Sequence, residues 1–425
     1  MSAALARLWH ELVRPRGRRA MPFAGVARRR QGERGIALLM VMASLAIITV
    51  ITVELSYDSR VRLLKSAHQR DQIAARYLAE SGANIYRLIL VADRQINSQL
   101  SGLMPEGMNV QGLWQMLPGL NTGLMRMLFT AGGSVDDQEM QEFAEEGVTD
   151  EMRDESREQA SRFDSKSFLD FEGDFEAEIK DIDGRININR LGRSCTARVC
   201  TSMAELQQDP IAQQLFGLMS GEENDQWFYD RNIDRWELIG NLADWIDVDA
   251  NRVYQGGYED TLYQSLDDPY LAKNAQFDTL AEIQQVDGWQ GEVYDRFVDR
   301  LTVYGSGKIN VNSADNEALC GLLRAYTTTP GVLSDCDGFI ERWQNNELIL
   351  FQSWGTADEF ITSATDKGGL PLDDASKLKE AIGFESQTFI VESTGLVGDS
   401  VAHLTVVYDF STAQKVGRIK YWRMD

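Results

Sequence analysis

The residues with the clearest capacity for chemistry are acidic side chains gathered in one loop, residues 244–263. Asp247, Asp249 and Asn251 alternate there as the first ligands of an EF-hand calcium loop do. The EF-hand pattern then fails, because Arg252 occupies the sixth position, where Gly is required, and Tyr258 occupies the twelfth, where a bidentate Glu is required. The loop therefore has the ligand chemistry of an EF-hand at its start but not the EF-hand arrangement.

The second half of the loop supplies further carboxylates. Gly256-Gly257 is expected to turn the chain back, so that Glu259 and Asp260 face Asp247 and Asp249. Oxygen ligands this close together, most of them charged, repel one another unless a hard cation lies between them. Oxygen ligands without His or Cys favour Ca²⁺ over zinc or copper, and irregular geometry disfavours Mg²⁺. The alternative is a solvated acidic loop that binds no metal.

A long apolar run near the start of the chain predicts how the protein is placed in the cell. No charge, Pro or Gly occurs from Ile36 to Val53, so the run reaches the roughly 18 residues at which a membrane-spanning helix is expected. Residues 1–35 contain nine Arg and two Glu, a net charge of +7, which is typical of a cytoplasmic segment. The sequence therefore predicts a cytoplasmic start, with the bulk of the chain on the other side of the membrane.

The helical pattern continues beyond the apolar run. Small and apolar residues recur every three or four positions among charged ones after Glu54. They include Ala74, Leu78, Ile85 and Ile89. A single helix from Ile36 to about Ile96 would be about 90 Å long, with half of it in lipid and half in water.

Charge and cysteine content narrow the classes of function. The 425 residues carry a net charge of −23, so removing the first 35 residues leaves about −30, which repels nucleic acid and suits divalent cations or basic partners. The four cysteines form two sequence-local pairs, and we favour disulfides Cys195–Cys200 and Cys320–Cys336, with reduced, buried thiols as the alternative. Neither pair has C-x-x-C spacing and the chain has three His, which argues against zinc or redox catalysis.

Alternating apolar residues predict strands in two separated blocks. One block follows Ser167 and the other follows Thr388, and Asp183-Gly184 in the first block predicts a hairpin turn. Between the blocks, apolar and aromatic residues recur at helical spacing, as around Trp236–Ile246. The sequence thus predicts a sheet that is interrupted by a large helical insertion.

The segment Arg34-Gly35-Ile36 followed by an apolar helix resembles the cleavage site of type IV pilin-like precursors. That resemblance implies that a prepilin peptidase cuts after Gly35 and methylates the amino group of Ile36. Such chains usually have Glu five residues into the mature protein, whereas Met40 stands there in this sequence. A carboxylate in lipid needs a partner, thought to be the amino terminus of the preceding subunit, so a subunit with none ahead of it needs no Glu. Within the superfamily this pattern resembles the K pseudopilins of type II secretion, thought to lie at the pseudopilus tip.

The resemblance implies an α+β, pilin-like fold in which a long N-terminal helix packs on an antiparallel sheet and a large, mainly α-helical domain is inserted between the strands. The expected parts are a cleaved basic leader (1–35), the transmembrane (36–56) and amphipathic periplasmic (57–95) halves of the helix, an acidic and Met-rich insertion that is partly disordered (96–166), the first strands (167–191), the helical domain (192–384) and the last strands (385–425).

The K pseudopilins also have a calcium-binding loop that resembles the acidic loop of this sequence. By that resemblance the expected ligands are Asp247, Asp249, Glu259 and Asp260, with Asn251 and Asn274 as weaker candidates. The expected partners are other minor pseudopilins, packed on the stripe that contains Ala74, Leu78, Ile85 and Ile89, the prepilin peptidase, and an exoprotein or the secretin. The expected location is the inner membrane of a Gram-negative bacterium, by a single span, with the C-terminal bulk in the periplasm.

Two other functions are compatible with parts of the sequence. Ile309-Asn-Val-Asn312 before a helix resembles helix-hairpin-helix modules that bind DNA, which suggests a DNA-uptake or type IV pilus minor pilin. Since no Lys or Arg occurs between Val311 and Leu323 to neutralise phosphate, we interpret the module as structural and expect no nucleic acid partner. The many carboxylates suggest a membrane-anchored glycosidase, but the best-placed ones share a single loop, and no other catalytic motif is present. We therefore expect a non-enzymatic protein.

Overall fold

The predicted long helix, α1, runs from Arg34 to Leu100 in a computed structural model, which describes residues 34–100, 112–117, 119–125, 171–347, 354–412 and 416–425. The remaining helices are α2 (Leu113–Met116), α3 (Met203–Leu206), α4 (Pro210–Leu218), α5 (Glu222–Arg231), α6 (Arg235–Ile246), α7 (Asp260–Tyr263), α8 (Glu292–Phe297), α9 (Asn316–Tyr326), α10 (Cys336–Glu347), α11 (Ala357–Thr362) and α12 (Ala375–Ala381). The strands are β1 (Gly119–Asn121), β2 (Asp174–Asp181), β3 (Ile186–Asn187), β4 (Leu301–Thr302), β5 (Ile309–Asn310), β6 (Ile382–Gly383), β7 (Thr388–Val397), β8 (Ser400–Asp409) and β9 (Arg418–Met424).

The chain divides into two units, Met1–Ala67 and His68–Asp425. In the first unit, every residue of α1 from Ile36 onward is exposed. The hydroxyl of Thr49 donates to the carbonyl of Leu45 at 2.7 Å, so this polar group is satisfied within the apolar run. Among the described residues, α1 is the one helix long and apolar enough to cross a membrane, and it fits a single-pass anchor.

In the second unit, α1 packs on the five-stranded antiparallel sheet through its smallest residues. Ala75, Ala79 and Ala83 are fully buried against the sheet, whose strand order is β1-β2-β7-β8-β9. Gly395 on β7 is required for this approach, because an added Cβ would collide with the carbonyl oxygen of Ala75 and lie 2.8 Å from the Ala79 nitrogen. The pilin-like arrangement of a helix on an antiparallel sheet, interrupted by a helical insertion, is confirmed.

The hairpin predicted at Asp183-Gly184 is wrong. β3, which follows this turn, pairs in parallel with β4 and not with β2. Gly184 does not have the positive φ that a type I′ turn requires. Its lack of a side chain instead makes room for the backbone of Ser313, which would lie 2.7 Å from an added Cβ. The chain therefore leaves the sheet at this point and enters the insertion, so of the predicted first strands only β2 belongs to the sheet.

The insertion has its own core, which includes the fully buried rings of Trp245 and Trp289. Its cysteines form the two disulfides Cys195–Cys200 and Cys320–Cys336. The second joins α9 to the start of α10 across 16 residues, and closing such a loop stabilises the fold mainly by restricting the unfolded chain.

The helix-hairpin-helix-like stretch is packed inside the second unit. The side-chain amide of Asn312 donates to the carbonyls of Trp354 and Phe384 at 3.0 Å each. The helix that follows is capped by Asp315, whose carboxylate accepts the N–H of Ala318 at 2.8 Å. These contacts are structural, in agreement with the interpretation of the sequence.

The stripe predicted to meet partner helices is partly buried within this chain. Leu78, Ile85 and Ile89 pack against the sheet core of this chain, and Ala74 packs against the smaller cluster that contains Ala75. In the second unit, the outward face of α1 carries three large apolar residues that are more than half exposed. They are Ile73 (55%), Tyr77 (65%) and Leu88 (68%).

Most of the predicted insertion 96–166, and the leader up to residue 33, lie outside the described residues. The described part adds β1 to the sheet, with Leu120 opposite Ala177 on β2. Tyr86 on α1 supports this strand, because its hydroxyl hydrogen bonds to the carbonyl of Leu117 at 2.9 Å. The sequence did not predict this strand.

Candidate metal centre

The candidate site lies at the C-terminal end of α6. This helix begins after Asp234, which accepts the N–H of Trp236 at 2.8 Å, and it ends at the capping residue Asp247. Asp244 lies three residues before Asp247, so both carboxylates project from the same side of the last turn. The unpaired carbonyls of a helix C-terminus carry partial negative charge, which increases the need for a cation here.

A tight loop returns a third carboxylate to this helix end. Asn251 and Tyr258 form an antiparallel bridge, and the N–H of Glu259 donates to the carbonyl of Ala250 at 3.2 Å. The turn lies at Gly256-Gly257, as the sequence predicts, and both glycines have positive φ (72° and 99°). The turn therefore places Glu259 beside the end of α6.

Asp244, Asp247 and Glu259 form a buried carboxylate trio. One oxygen from each lies within 4.8 Å of the others, and the residues are 3%, 5% and 2% exposed. Asp244 accepts the N–H of Val253 at 3.0 Å and Asp247 accepts the N–H of Asp249 at 3.2 Å. The second oxygen of Asp244 and both oxygens of Glu259 are buried and have no hydrogen-bond partner within the described part of the chain.

The electrostatics of the trio are unfavourable without a cation. Burial raises the pKa of Asp244 and of Asp247 to about 7 each, and it raises the pKa of Glu259 to about 8. The charges of Asp244 and Asp247 add to the effect on Glu259. Three buried carboxylates at this spacing must either take up protons or share a cation.

The donor set fits a hard divalent cation. Oxygen ligands that lie 2.3–2.6 Å from one Ca²⁺ can be up to about 5 Å apart, which agrees with the spacing of the trio. Asn274 offers a further oxygen, because its Oδ1 is buried and without a partner among the described residues. The amide nitrogen of Asn274 is already used, since it donates to the carbonyl of Asp249 at 2.6 Å. The described group consists of carboxylates and contains no His or Cys, and several of its oxygens have no hydrogen-bond partner. Such a ligand set fits calcium better than zinc or copper.

The structure brings together some of the predicted ligands and leaves others apart. Asp247 and Glu259 belong to the trio, whereas the carboxylate of Asp249 accepts the N–H of Asn251 at 2.7 Å and Asn251 itself is exposed. The carboxylate of Asp260 accepts the N–H of Ala272 at 3.0 Å. Asp249, Asp260 and Asn251 are therefore not in the trio, and their part in binding an ion stays a prediction.

Asp244 is the trio member that was missed as a ligand when only the sequence was considered. The signal was available, because Asp244 and Asp247 stand three apart at the end of a helical pattern and so share a helix face. The alternation of Asp247, Asp249 and Asn251 favours Asp249 as a ligand instead.

The site lies within the part of the chain that matches a known family. Residues 184–306 match the family model described as type II secretion system (T2SS), protein K. This part of the chain is therefore similar to that family. The matched residues contain α6, the acidic loop and the whole carboxylate trio.

Two curated relatives show the same similarity over longer stretches. The type II secretion system protein K of Pectobacterium carotovorum subsp. carotovorum is 24% identical over 242 residues, which cover 54% of this chain and 64% of that protein. The type II secretion system protein K of Aeromonas hydrophila is 23% identical over 245 residues, which cover 56% of this chain and 67% of that protein. The chain thus spans less than two thirds of the first relative.

Among solved structures, the chain is similar to one chain of the GspK-GspI-GspJ complex from the type 2 secretion system of enterotoxigenic Escherichia coli. The sequence identity is 17% and the TM-score is 0.45, and the match covers 60% of this chain and 80% of that one.

Proposed function

We propose that this chain is a non-catalytic minor pseudopilin that forms the tip of a type II secretion pseudopilus and helps to move folded exoproteins across the outer membrane. The observation that carries the proposal is the protein K family match at residues 184–306, which lies in the domain inserted into a helix-on-sheet fold with a membrane-anchoring helix. Family, fold and anchor thus support the same assignment.

The tip position is supported by Met40. Its side chain is apolar and 66% exposed on α1, at the place where related subunits carry Glu. Without a carboxylate, this helix has nothing with which to pair the amino terminus of a subunit ahead of it. A subunit that lacks this contact is suited to the leading position.

The proposed partners are other minor pseudopilins, whose helices would pack on the outward face of α1. This face, which we call the outer stripe, consists of Ile73, Tyr77 and Leu88. Large apolar side chains exposed along one helix face at spacings of four and eleven residues fit the ridge of a second helix. The stripe predicted from the sequence is less accessible, since its residues are partly buried against the core of this chain.

The proposed processing and location follow from the start of α1. Gly35 and Ile36 lie at its beginning, where a prepilin peptidase would cut and methylate the new amino terminus. The anchor would place the chain in the inner membrane, with residues after the span in the periplasm. The two disulfides are compatible with that oxidising compartment.

Calcium is the proposed ligand of the carboxylate trio. Asp244, Asp247 and Glu259 would hold the ion, and Asn274 would add a neutral oxygen. The ion would neutralise the repulsion between the carboxylates and fix the loop to the end of α6. Its role would be to stabilise the inserted domain, not to catalyse a reaction.

The proposed function is tested in a bacterium with its own copy of the corresponding gene deleted. Expression of the full chain should restore export of the secreted enzymes, and the chain should copurify with the other minor pseudopilins from detergent extracts. Tyr77→Arg with Leu88→Arg should reduce copurification at least tenfold, whereas Arg342→Glu, also on an exposed side chain, should leave it unchanged. Normal export in the deletion strain, or a wild-type chain that copurifies with no sibling pseudopilin, would contradict the assignment.

A further inference from the structure

β9 is the last strand of the sheet and has β8 as its neighbour on one side. His403 and Asp425 exchange both backbone hydrogen bonds, at 3.1 and 2.9 Å, and the pair Arg423 and Thr405 follows two residues along the ladder. In an antiparallel ladder the residues between such pairs direct their N–H and C=O groups away from the neighbour. Trp422 and Met424 therefore offer backbone groups at the outer edge, where no described residue bonds to them.

β9 is also exposed and unusually basic for this chain. Arg418, Lys420 and Arg423 occupy three of its seven positions, although the chain as a whole has a net charge of −23. Between the cations, Ile419 and Trp422 are each 42% exposed. The strand thus combines unpaired backbone groups, apolar side chains and positive charge.

A second group of cations lies just before and within the loop closed by the disulfide Cys195–Cys200. Arg193 and Arg198 are exposed there, and Arg198 has a left-handed backbone conformation (φ 65°). Among the described residues, no carboxylate lies within 4 Å of the guanidinium groups of Arg190, Arg193 or Arg198. Arg190 instead donates to the carbonyl of Gly305 at 2.9 Å. We call these three residues the arginine loop.

The arginine loop lies near the start of β9, because both interact with Asp409 on β8. Asp409 on β8 lies opposite Arg418 in the ladder, and its carboxylate is 3.3 Å from the amine of Lys420. The same carboxylate attracts Arg190, while burial, followed by the charges of Arg193 and Arg198, lowers the pKa of Arg190. Asp409 thus interacts both with Lys420 of β9 and with Arg190 of the arginine loop.

Charged residues on an edge strand also have a simpler explanation, which is protection against unwanted pairing. The ion pairs of Lys420 with Asp409 and of Arg423 with Asp425, at 3.3 and 2.8 Å, fit that explanation. It does not account for three further arginines on a separate loop, nor for exposed Ile and Trp side chains on the strand itself. Arginines without a carboxylate partner near an open sheet edge favour the binding of an acidic strand over other strands.

We propose that β9 is a docking edge at which an acidic, extended segment of a partner protein adds as a sixth strand, with its carboxylates held by the arginine loop. Backbone hydrogen bonds to the edge at Trp422 and Met424 supply the pairing, as in other cases of strand addition. The alternate side chains of the added strand that face the arginine loop are those that carry the carboxylates, because the side-chain period of a strand is two. Guanidinium–carboxylate pairs then select acidic partners. This docking edge is separate from the outer stripe and does not depend on the pseudopilin assignment.

The test uses the full chain in detergent micelles and fluorescein-labelled peptides of ten residues, measured by fluorescence anisotropy. The first peptide alternates Glu with Val and Thr, the second has Lys in place of Glu, and the third is the acidic peptide with alternate backbone nitrogens methylated. We expect the acidic peptide to bind, and the other two to bind at least tenfold more weakly. Methylation blocks the peptide's backbone donors without changing its charge, so it tests strand addition separately from electrostatics.

The variant Arg193→Glu with Arg198→Glu should weaken binding of the acidic peptide at least tenfold. The double variant Arg342→Glu with Lys377→Glu reverses two exposed charges elsewhere and should leave the affinity unchanged. Equal binding of the methylated peptide would overturn strand addition. Failure of the acidic peptide to bind at low salt would overturn the proposal as a whole. So would a chain that does not bind the peptide but binds anionic phosphatidylglycerol vesicles, if that binding is lost in the same double arginine variant.

Discussion

The carboxylate of Asp183 accepts the backbone N–H of Thr388 at 2.6 Å, which joins the residue at which the chain leaves the sheet to the strand on which it returns. The N–H of Gln387 donates to the same oxygen, also at 2.6 Å. Burial, followed by the charge of Asp181, raises the pKa of Asp183 to about 6, although the two backbone bonds act in the opposite direction. The insertion is therefore closed at its base by a carboxylate that binds a proton more tightly in the folded state than in the unfolded state.

The first prediction concerns the pH dependence of this junction. Because the folded-state pKa of Asp183 is raised above 3.8, the stability that it contributes is fully present below about pH 4 and is lost as the pH rises through about 6. A shift of about two pKa units corresponds to about 3 kcal/mol. The free energy of unfolding of wild type minus that of Asp183→Asn should fall by up to this amount between about pH 4 and pH 8, measured by urea unfolding in calcium.

The matched control is Asp174→Asn, because Asp174 is an exposed residue at the start of β2. Its difference from wild type should not change over the same pH range. Other groups that titrate in this range are common to wild type and variant, so they cancel in the subtraction. A difference for Asp183→Asn that is as flat as that for Asp174→Asn would contradict the prediction.

The second prediction concerns the contact between α1 and the sheet. Gly395→Ala would place a methyl group against the backbone of Ala75 and Ala79, neither of which can move as a flexible side chain would. Overpacking of this kind costs about 1–3 kcal/mol, and we expect the upper end of that range. Thermal unfolding of the full chain should show a lower Tm, whereas Gly119→Ala should have little effect, since a Cβ there meets no atom within 4 Å. Equal Tm values for the two variants would refute the close approach.

The large features of this fold could be predicted from the sequence, because they depend on local composition. The apolar run beginning at Ile36 has no residue that breaks a helix, and the alternation in β2 and β8 specifies one buried face on each strand. The turn at Gly256-Gly257 was likewise predictable, since both positions have a positive φ that glycine adopts without strain.

The features that were predicted wrongly or not at all depend on contacts between residues that are distant in the sequence. Gly184 is used for close packing against Ser313 and not for the hairpin turn that Asp-Gly favours locally. The two apolar stripes of α1, one beginning at Ala74 and the other at Ile73, are offset by a single residue, so the sequence did not decide which one meets the sheet. The strand β1 lies in a segment whose composition is dominated by charge and Met, and it is defined by pairing with β2.

The third prediction concerns calcium and the trio. When no ion is bound, the buried carboxyl of Glu259 must either take up a proton or repel Asp244 and Asp247. Glu259→Gln removes that cost, but it also removes a ligand. In excess chelator the variant should therefore have a higher Tm than wild type. In saturating calcium the order should reverse, because wild type gains about 5 °C from binding and the variant gains almost nothing.

Two controls make the calcium test specific. Asp244→Asn should weaken calcium binding at least tenfold by titration calorimetry, whereas Asp267→Asn, on an exposed part of the same region, should not. Zinc should not replace calcium in raising the Tm of wild type. If wild type melts at the same temperature in calcium and in chelator, the metal assignment is wrong.

The fourth prediction concerns Met40 and the proposed leading position of this subunit. Met40→Glu would place a carboxylate in the apolar part of α1, which costs about 2.5–3.5 kcal/mol unless a partner neutralises it. The one partner that the assembly offers is the amino terminus of a subunit ahead, so the variant should either enter the filament behind another subunit or assemble poorly. In both cases export of secreted enzymes by the complemented deletion strain should fall at least tenfold, while Met40→Leu should support normal export. Carbonate extraction of membranes serves as the control for insertion, because a variant that remains anchored but inactive separates the loss of tip function from the loss of the anchor. Full export by an anchored Met40→Glu chain would show that the missing carboxylate does not determine the place of this subunit.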